Sequence, residues 1–518
     1  MPANRIFHRL IGARMPHIGW AQSRPADAQR GVFLGLIHAL ASTKYGREMG
    51  IRQPLDVGKR KDFVRRVPIV TYDELKPWIS RARQGERSVL WPGVTKWFAQ
   101  SSGTTSDQFK WVPVTTDSLH EGHYKGGKDL LAQFCNQVPE AQLYQGKHLI
   151  LGGSSALVKE GSHALKGDLS AIIVRHLPPW CEARRTPSRD IALMDGWEDK
   201  VEAIAEATLK EDVRILAGVP SWMSLVAHRV LEKSGEPHLR AVWPNLWLYM
   251  HGGVGFAPYR ETFHNLIPNV SGKPPMHYLE TYNASEGFFA YQDDLSRDDM
   301  ALLMDHGVYY EFVPLDQLGE PHPDALEFRE VEEGQTYALV VSTNAGLWRY
   351  LVGDLVTVTC KIPLRVQVSG RISSHLNLVG EEVMEQQADR ALAQVCSELG
   401  TPAYNYMAGP VLDDYGKPVG HRWVVEFQAS QMSPDPFSFA KRLDAALQAL
   451  NGDYKSKRTA DLALIPPTVE VVPCGTFDGW LLSRNRLGGQ HKVPRLTHDE
   501  GTLLEVVEAA KRELSPTC

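Results

Sequence analysis

The chain's 518 residues are enough for two or three domains with a large buried core, and 43% hydrophobic against 23% charged residues is the balance of a globular protein. Acidic residues outnumber basic ones, 61 to 56, so no overall cationic surface points to nucleic acid or to anionic lipid. The six cysteines (Cys135, Cys181, Cys360, Cys396, Cys474 and Cys518) are dispersed with no CxxC pair, which excludes a disulfide scaffold and the common zinc spacings and leads us to expect a reduced, cytoplasmic setting.

In chain order, the basic N-terminus MPANRIFHRLIGARMPHIGW lacks a long apolar stretch and predicts a surface helix packed on the domain, not a signal peptide or a membrane span. Residues 29–45 place Phe33, Leu36, Ile37 and Leu40 on one helical face, with Gly46 as the expected stop. Thr71 and Glu74 have the spacing of a capping box. Apolar runs at 148–153, 213–222, 245–253, 277–287 and 337–343 read as strands, and MSLVAHRVLEKSG between the second and third reads as a helix. Strand, helix, strand at this spacing predicts an α/β fold with mainly parallel sheets, in which ligands bind beyond the carboxyl ends of the strands. Near residue 370 the pattern changes to helix, strand (RWVVEF), helix, strand (TVEVV) and a Gly-rich segment. The expected organisation is a large domain, 1–370, and a smaller α+β domain, 371–518.

Five stretches carry the chemistry. SSGTTSDQFK combines a flexible backbone with hydroxyls from Ser101, Ser102, Thr104 and Thr105 around Gly103, a combination that suits a phosphate chain, with Lys110 as a source of charge. It is not a Walker A loop, and alone it reads as an ordinary loop. YNASEG offers Tyr282 to stack on a purine and Glu286 as a hard oxygen ligand for Mg²⁺. WRYLVGDLVTV sets Asp354 after a glycine, where a carboxylate can accept from ribose hydroxyls, although Gly-Asp is also a common hairpin turn. Arg371 stands at the expected domain boundary, able to reach a phosphate or to cap a strand. LGGQHKVPRL carries Lys492, either solvated surface or a cation for a phosphoryl transition state. Apolar residues between 215 and 260, among them Trp222, Met223, Trp247, Tyr249 and Phe256, suit an acyl pocket and equally suit a core.

The order of these signals, with LASTKYGREMGI, VPIVTYDELKPWI and NGDYKSKR added, resembles the adenylate-forming superfamily of acyl-CoA synthetases, adenylation domains and luciferases. Within it the match is closer to the auxin-responsive (Gretchen Hagen) acyl-acid amido synthetases, in a bacterial-type form. The resemblance implies a small C-terminal domain that is mobile and carries the lysine loop. It implies that Ser101, Ser102, Gly103, Thr104 and Thr105 cradle the phosphates of ATP, that Tyr282 and Ser285 sit by the nucleotide, that Glu286 binds Mg²⁺ and that Asp354 binds the ribose. Arg371 corresponds to the superfamily's hinge arginine rather than to the plant version. Ser102, Glu286 and Lys492 would be catalytic, Lys492 contacting the carboxylate and the α-phosphate. Trp222, Met223, Tyr249, Gly252 and Gly253 would face the acyl substrate. Residues 150–200 fall outside the resemblance, so the plant acyl-binding helices are not carried over.

The implied reaction joins a carboxylic acid, aromatic or aliphatic, to an amino acid through an acyl-adenylate, with ATP and Mg²⁺, no nucleic acid or membrane partner, and a monomer or homodimer as the working form. An acyl-CoA ligase or carrier-loading enzyme shares the first half of that chemistry. A non-catalytic nucleotide-binding protein would have no need of both Glu286 and Lys492. HGGVG at 251–255 hints at the oxyanion loop of an α/β hydrolase, but no GxSxG elbow occurs in the chain.

Overall fold

The computed structural model describes residues 2–101, 110–152, 157–160, 163–194, 196–320, 322–372, 375–376, 378, 381, 383–413, 417–428, 433–458, 464–484 and 493–513. The chain forms two compact units. One comprises residues 1–254 and 267–368; the other comprises 369–518 together with the short segment 255–266.

In the larger unit, among the described residues, eleven strands form one sheet. Arg185–Thr186, Lys147–Ile150, Val213–Gly218, Leu248–Gly252 and His277–Ala284 lie side by side in parallel. Val213–Gly218 and Leu248–Gly252, in the middle of this half, are largely buried, as expected when helices cover both faces of a parallel sheet. At Ser285 and Glu286 the chain reverses. Gly287–Tyr291, Met300–Leu302 and Leu364–Arg371 continue the sheet antiparallel, and Tyr350–Lys361, Thr336–Thr343 and Val308–Pro314 complete it. Apart from Arg185–Thr186, the parallel half is the half legible in the sequence. Most of the antiparallel half is an addition to that reading.

The helix after Val213–Gly218 runs from Pro220 to Ser234, beginning three residues earlier than expected. Pro220 stands in the first turn, where a missing N–H costs nothing, and Gly235 ends the helix in the left-handed conformation at φ 68°. The helix Pro25–Ala41 buries Phe33, Leu36, Ile37 and Leu40 but stops at Ala41, short of Gly46. Thr43 caps a second helix, Lys44–Glu48, its side chain accepting from the Gly46 N–H at 2.9 Å. Gly46 is there for space: a Cβ would lie 2.1 Å from the Leu40 carbonyl oxygen. Thr71 and Glu74 form the expected capping box on Tyr72–Arg83. The N-terminal helix Pro2–Gly12 does pack on the domain. Phe7 stacks on Tyr144 at 4.7 Å, and Ile11 is buried among Leu130, Phe134 and their neighbours. Burial of such a side chain contributes about 1.5–3 kcal/mol.

The smaller unit has a three-stranded sheet among its described residues. Ala403–Leu412 and Pro418–Phe427 pair antiparallel, and Thr468–Val472 adds a parallel edge. The helices Glu385–Leu399 and Pro436–Leu450 share a core with this sheet, including Leu392, Tyr406, Trp423 and Leu443. Ala403–Leu412 is absent from the sequence reading because AYNYMAGPVL mixes Asn, Gly and Pro into an apolar run. Gly409 is required by packing, since a Cβ would meet Leu503 at 2.6 Å and the Thr497 carbonyl oxygen at 2.9 Å.

Candidate functional site

The YNASEG stretch is a tight hairpin of the larger unit. Ala284 pairs with Gly287, so Ser285 and Glu286 alone make the turn. Hairpin turns normally face solvent. This one does not: Ser285 is 9% exposed and Glu286 8%. A carboxylate buried at a hairpin tip is costly unless it is partnered, and Glu286 is engaged. Tyr282 precedes the turn, its ring edge-on to Phe289 at 5.0 Å.

Asp354 is not in a hairpin turn, the plainer reading of its Gly-Asp pair. It lies inside the strand Tyr350–Lys361. Pairing with the neighbouring strand jumps from Ala338–Leu355 to Val340–Leu351, so Leu339 alone faces Val352, Gly353 and Asp354. This is a bulge, a device that bends a strand and re-aims a side chain. Gly353 supplies its backbone at φ +93°, with open space where a Cβ would be, so the conformation rather than crowding selects glycine. Gly353→Ala is expected to destabilise the larger unit by about 1–3 kcal/mol, read as a lowered urea midpoint. An unchanged midpoint would show that the bulge tolerates a side chain.

The re-aimed Asp354 accepts a hydrogen bond from the Tyr282 hydroxyl at 2.6 Å, and both residues are 7% exposed. Three strands separate their two strands in the sheet order. In a flat sheet four spacings of ~4.8 Å would hold them roughly 19 Å apart. The sheet therefore curls, and the curl joins two residues that the sequence reading had assigned to one nucleotide.

His123, bonded to the residue that follows Tyr282, escaped the sequence reading. It lies on a π-helical stretch, Ser118–Tyr124, that runs directly into the helix Lys125–Gln137. Such widened turns occur often at functional sites, and residue periodicity does not reveal them. Its Nδ1 is 2.9 Å from Asn283 Oδ1, beside Tyr282, with the ring nitrogen donating. Burial pushes the His123 imidazole down to about 4, so it is neutral at physiological pH. Gly126 lets this helix approach the sheet, since a Cβ would lie 2.5 Å from the Phe288 ring.

The remaining expected site residues fall as follows. Ser101 closes the strand Trp97–Ser101 and pairs with Lys110 at the start of Lys110–Val114. Ser102, Gly103, Thr104 and Thr105 lie outside the described residues, and so does Lys492. The Lys110 ammonium lies 5.7 Å from the Tyr72 ring centre. Arg371 ends the strand Leu364–Arg371 and is engaged. Met223 and Tyr249 are fully buried, and the Tyr249 hydroxyl donates to the Gly218 carbonyl at 3.1 Å. Both occupy core positions. Trp222 is half-buried, 5.4 Å from the Trp197 ring. Gly252 is needed for close approach, since a Cβ would meet the Thr281 carbonyl oxygen at 2.3 Å, and Gly253 has φ 84°. Trp247 joins the core beneath the N-terminal helix, while Phe256 lies in the segment that belongs to the smaller unit.

Among the described residues no three His, Cys, Asp or Glu side chains gather as a metal cage. A buried carboxylate such as Glu286 fits Mg²⁺, which keeps several waters and takes one or two carboxylates together with substrate phosphates. No described helix is long and apolar enough to cross a membrane. The described cysteines are free thiols.

Models of the GH3 family N-terminal domain, central domain and C-terminal domain match residues 17–271, 301–371 and 386–501. The chain is 24% identical to indole-3-acetic acid-amido synthetase GH3.4 of Arabidopsis thaliana, over 91% of this chain and 89% of that one. It is likewise 24% identical to the 4-substituted benzoates-glutamate ligase GH3.12 of Arabidopsis thaliana, over 86% and 89%. Among solved structures, the GH3.15 acyl acid amido synthetase matches with a TM-score of 0.76 at 18% identity, over 96% of this chain and 95% of that one. A 2-hydroxyisobutyryl-CoA ligase in the postadenylation state matches at 0.56 and 15%, over 95% and 94%. The structural likenesses show a shared fold.

Proposed function

Because the chain belongs to the GH3 family, we propose that it is an ATP-dependent acyl-acid amido synthetase. It adenylates a carboxylic acid, releasing pyrophosphate, and passes the acyl group to the amine of an amino acid, releasing AMP. The acid must be activated because a free carboxylate is a poor acyl donor at neutral pH. The observation that carries this reading is the buried Tyr282–Asp354 hydrogen bond, which ties the YNASEG hairpin to the Gly-Asp bulge. Around it, Tyr282 and Ser285 flank the nucleotide and Asp354 accepts from the ribose hydroxyls. Ser101 to Thr105 hold the phosphate chain, and Arg371 is assigned to the nucleotide. Glu286 is the residue that would hold Mg²⁺, which when bound neutralises phosphate charge. Lys492 stabilises the charge that builds on the α-phosphate during adenylation. Trp222, Gly252 and Gly253 are the acyl-side candidates with a structural reason to be near a strand end, and Met223 and Tyr249 shape that region from behind. We place the enzyme in the cytoplasm.

The names of its relatives suggest the acids to test first: indole-3-acetate and 4-substituted benzoates. Purified protein with Mg·ATP, these acids, a set of aliphatic acids and the twenty amino acids should release AMP only when an acid and an amino acid are both present. The product mass should equal their sum less one water. AMP release driven by coenzyme A instead of amines would make it an acyl-CoA ligase.

A further inference from the structure

Residues 50–66 form a small cationic segment of the larger unit. Six basic side chains, Arg52, Lys59, Arg60, Lys61, Arg65 and Arg66, stand against two acidic ones, Asp56 and Asp62, in a chain whose net charge is -5. The whole-chain balance, the reason for expecting no anionic lipid partner, averages this segment away. Local packing fixes its form. Ile51, Val57 and Phe63 are buried. The Asp56 carboxylate accepts from the Arg52 N–H at 2.8 Å and from the Gln53 N–H at 3.0 Å, which folds the 3₁₀ turn Pro54–Val57. Arg66, at the end of the helix Arg60–Arg66, donates from Nη1 to the Gly50 carbonyl at 2.6 Å and closes the segment on itself.

Leu55 is turned outward on this turn. It is 86% exposed, although Ile51 and Val57 on either side of it are fully buried. A side chain so exposed stands above its surroundings instead of lining a groove. Leucines scattered singly on a surface are ordinary, but the setting of this one is not. Arg52 precedes it on the same turn, Lys59 follows it, and Lys61 lies in the first turn of the helix beyond. All three are exposed, and among the described residues their side chains make no hydrogen bond or ion pair. Of the other cations, Arg60 turns inward to the buried Glu311 at 3.2 Å, and Arg65 pairs with Asp62 at 3.3 Å, a surface pair of little net strength. Like charges held together without partners repel, and an anion brought among them relieves that repulsion.

We propose that this segment is a docking surface for an anionic lipid bilayer: Leu55 enters the headgroup layer, and Arg52, Lys59 and Lys61 meet the phosphates and carboxylates of the lipids around it. A headgroup layer yields to a protruding side chain and surrounds it with negative charge. A nucleic-acid backbone offers a leucine nothing, and a folded protein would need a matching pocket. The association is peripheral and needs no membrane-crossing helix. One leucine and a few charges fall short of a stable anchor, so the contact is reversible and sensitive to salt. None of these residues takes part in the proposed reaction, so the two readings stand or fall separately.

The test is flotation of the purified chain with vesicles of phosphatidylcholine alone and with vesicles of phosphatidylcholine and phosphatidylserine in equal parts. The chain should float with the mixed vesicles and not with the neutral ones at about 0.1 M salt, and should be released at about 1 M, where the screening length falls from ~10 to ~3 Å. Lys59→Gln together with Lys61→Gln should weaken binding by roughly 30-fold, about 5-fold for each cation. Leu55→Ser should weaken it by about 10-fold, the scale of burying one leucine. These side chains are exposed, so the variants should unfold at the wild-type midpoint, and Arg52→Gln serves as a further variant if one of them does not. Equal flotation with neutral vesicles, no flotation with mixed ones, or wild-type binding by Leu55→Ser would overturn the inference. Poly(A) RNA or polyglutamate held as tightly as the mixed vesicles, with no loss in Leu55→Ser, would assign the segment to another kind of partner and overturn it as well.

Discussion

Asp354→Ala is expected to raise the KM for ATP by about 10- to 100-fold while the protein stays folded. A buried carboxylate accepting hydrogen bonds from a ligand contributes about 1.5–3 kcal/mol through the charge it carries. The substitution removes that acceptor and also leaves the Tyr282 hydroxyl, now bonded to Asp354 at 2.6 Å, without this partner. Tyr282→Phe separates the two effects. It keeps the ring and the carboxylate but frees Asp354 to rotate, so the ATP KM should rise by only about 5-fold, the worth of one neutral hydrogen bond of ~1 kcal/mol. Asn283, exposed and bonded to His123 rather than to Asp354, serves as the neighbouring comparison. An ATP KM that stays at the wild-type value in Asp354→Ala would remove this carboxylate from the nucleotide site.

Glu311→Gln should lower stability by about 3–5 kcal/mol, the usual cost of breaking a buried ion pair from one side. Glu311 is 1% exposed and accepts from Arg349 through Nε at 2.8 Å and Nη2 at 3.2 Å, and from Arg60 Nη2 at 3.2 Å. Arg349 is itself 3% exposed and adopts φ 43°, a left-handed conformation that its contacts must maintain. It also donates to the Val67 carbonyl at 2.9 Å. An amide at 311 cannot balance two guanidinium groups, and one of its ends would present N–H groups to them. The adjacent Trp348 is fully buried, and the loss of stability is read as a lowered midpoint of thermal unfolding. A melt within about 0.5 kcal/mol of wild type, the range of an ordinary surface substitution, would show that water or another group takes over the charge.

Arg349 illustrates what a motif can hide. In the sequence, WRYLVGDLV is legible as a unit leading to Asp354. The arginine inside it serves the core, paired with the buried Glu311. His123 shows a second limit. Nothing in the spacing of SLHEGHY separates a π-turn from an α-turn, because both place apolar residues on a face of similar width. Met223 and Tyr249 show a third limit, since a large apolar residue near a strand end has the same sequence signature whether it lines a pocket or fills the layer behind one.

The amino-acid sequence by itself determined the local rules of this protein: the buried face of Pro25–Ala41, the capping box at Thr71, the parallel strands with polar residues at their ends, and the order of motifs that marks the family. The first three follow from short-range sterics and periodicity, which a linear string records, and the motif order carries the resemblance to the family. Only the tertiary structure decided that Tyr282 meets Asp354, that the Ser285–Glu286 turn is buried, and that residues 255–266 join the smaller unit. Those outcomes depend on the summed twist and bulging of strands far apart in the chain, and no local pattern encodes a sum of that kind.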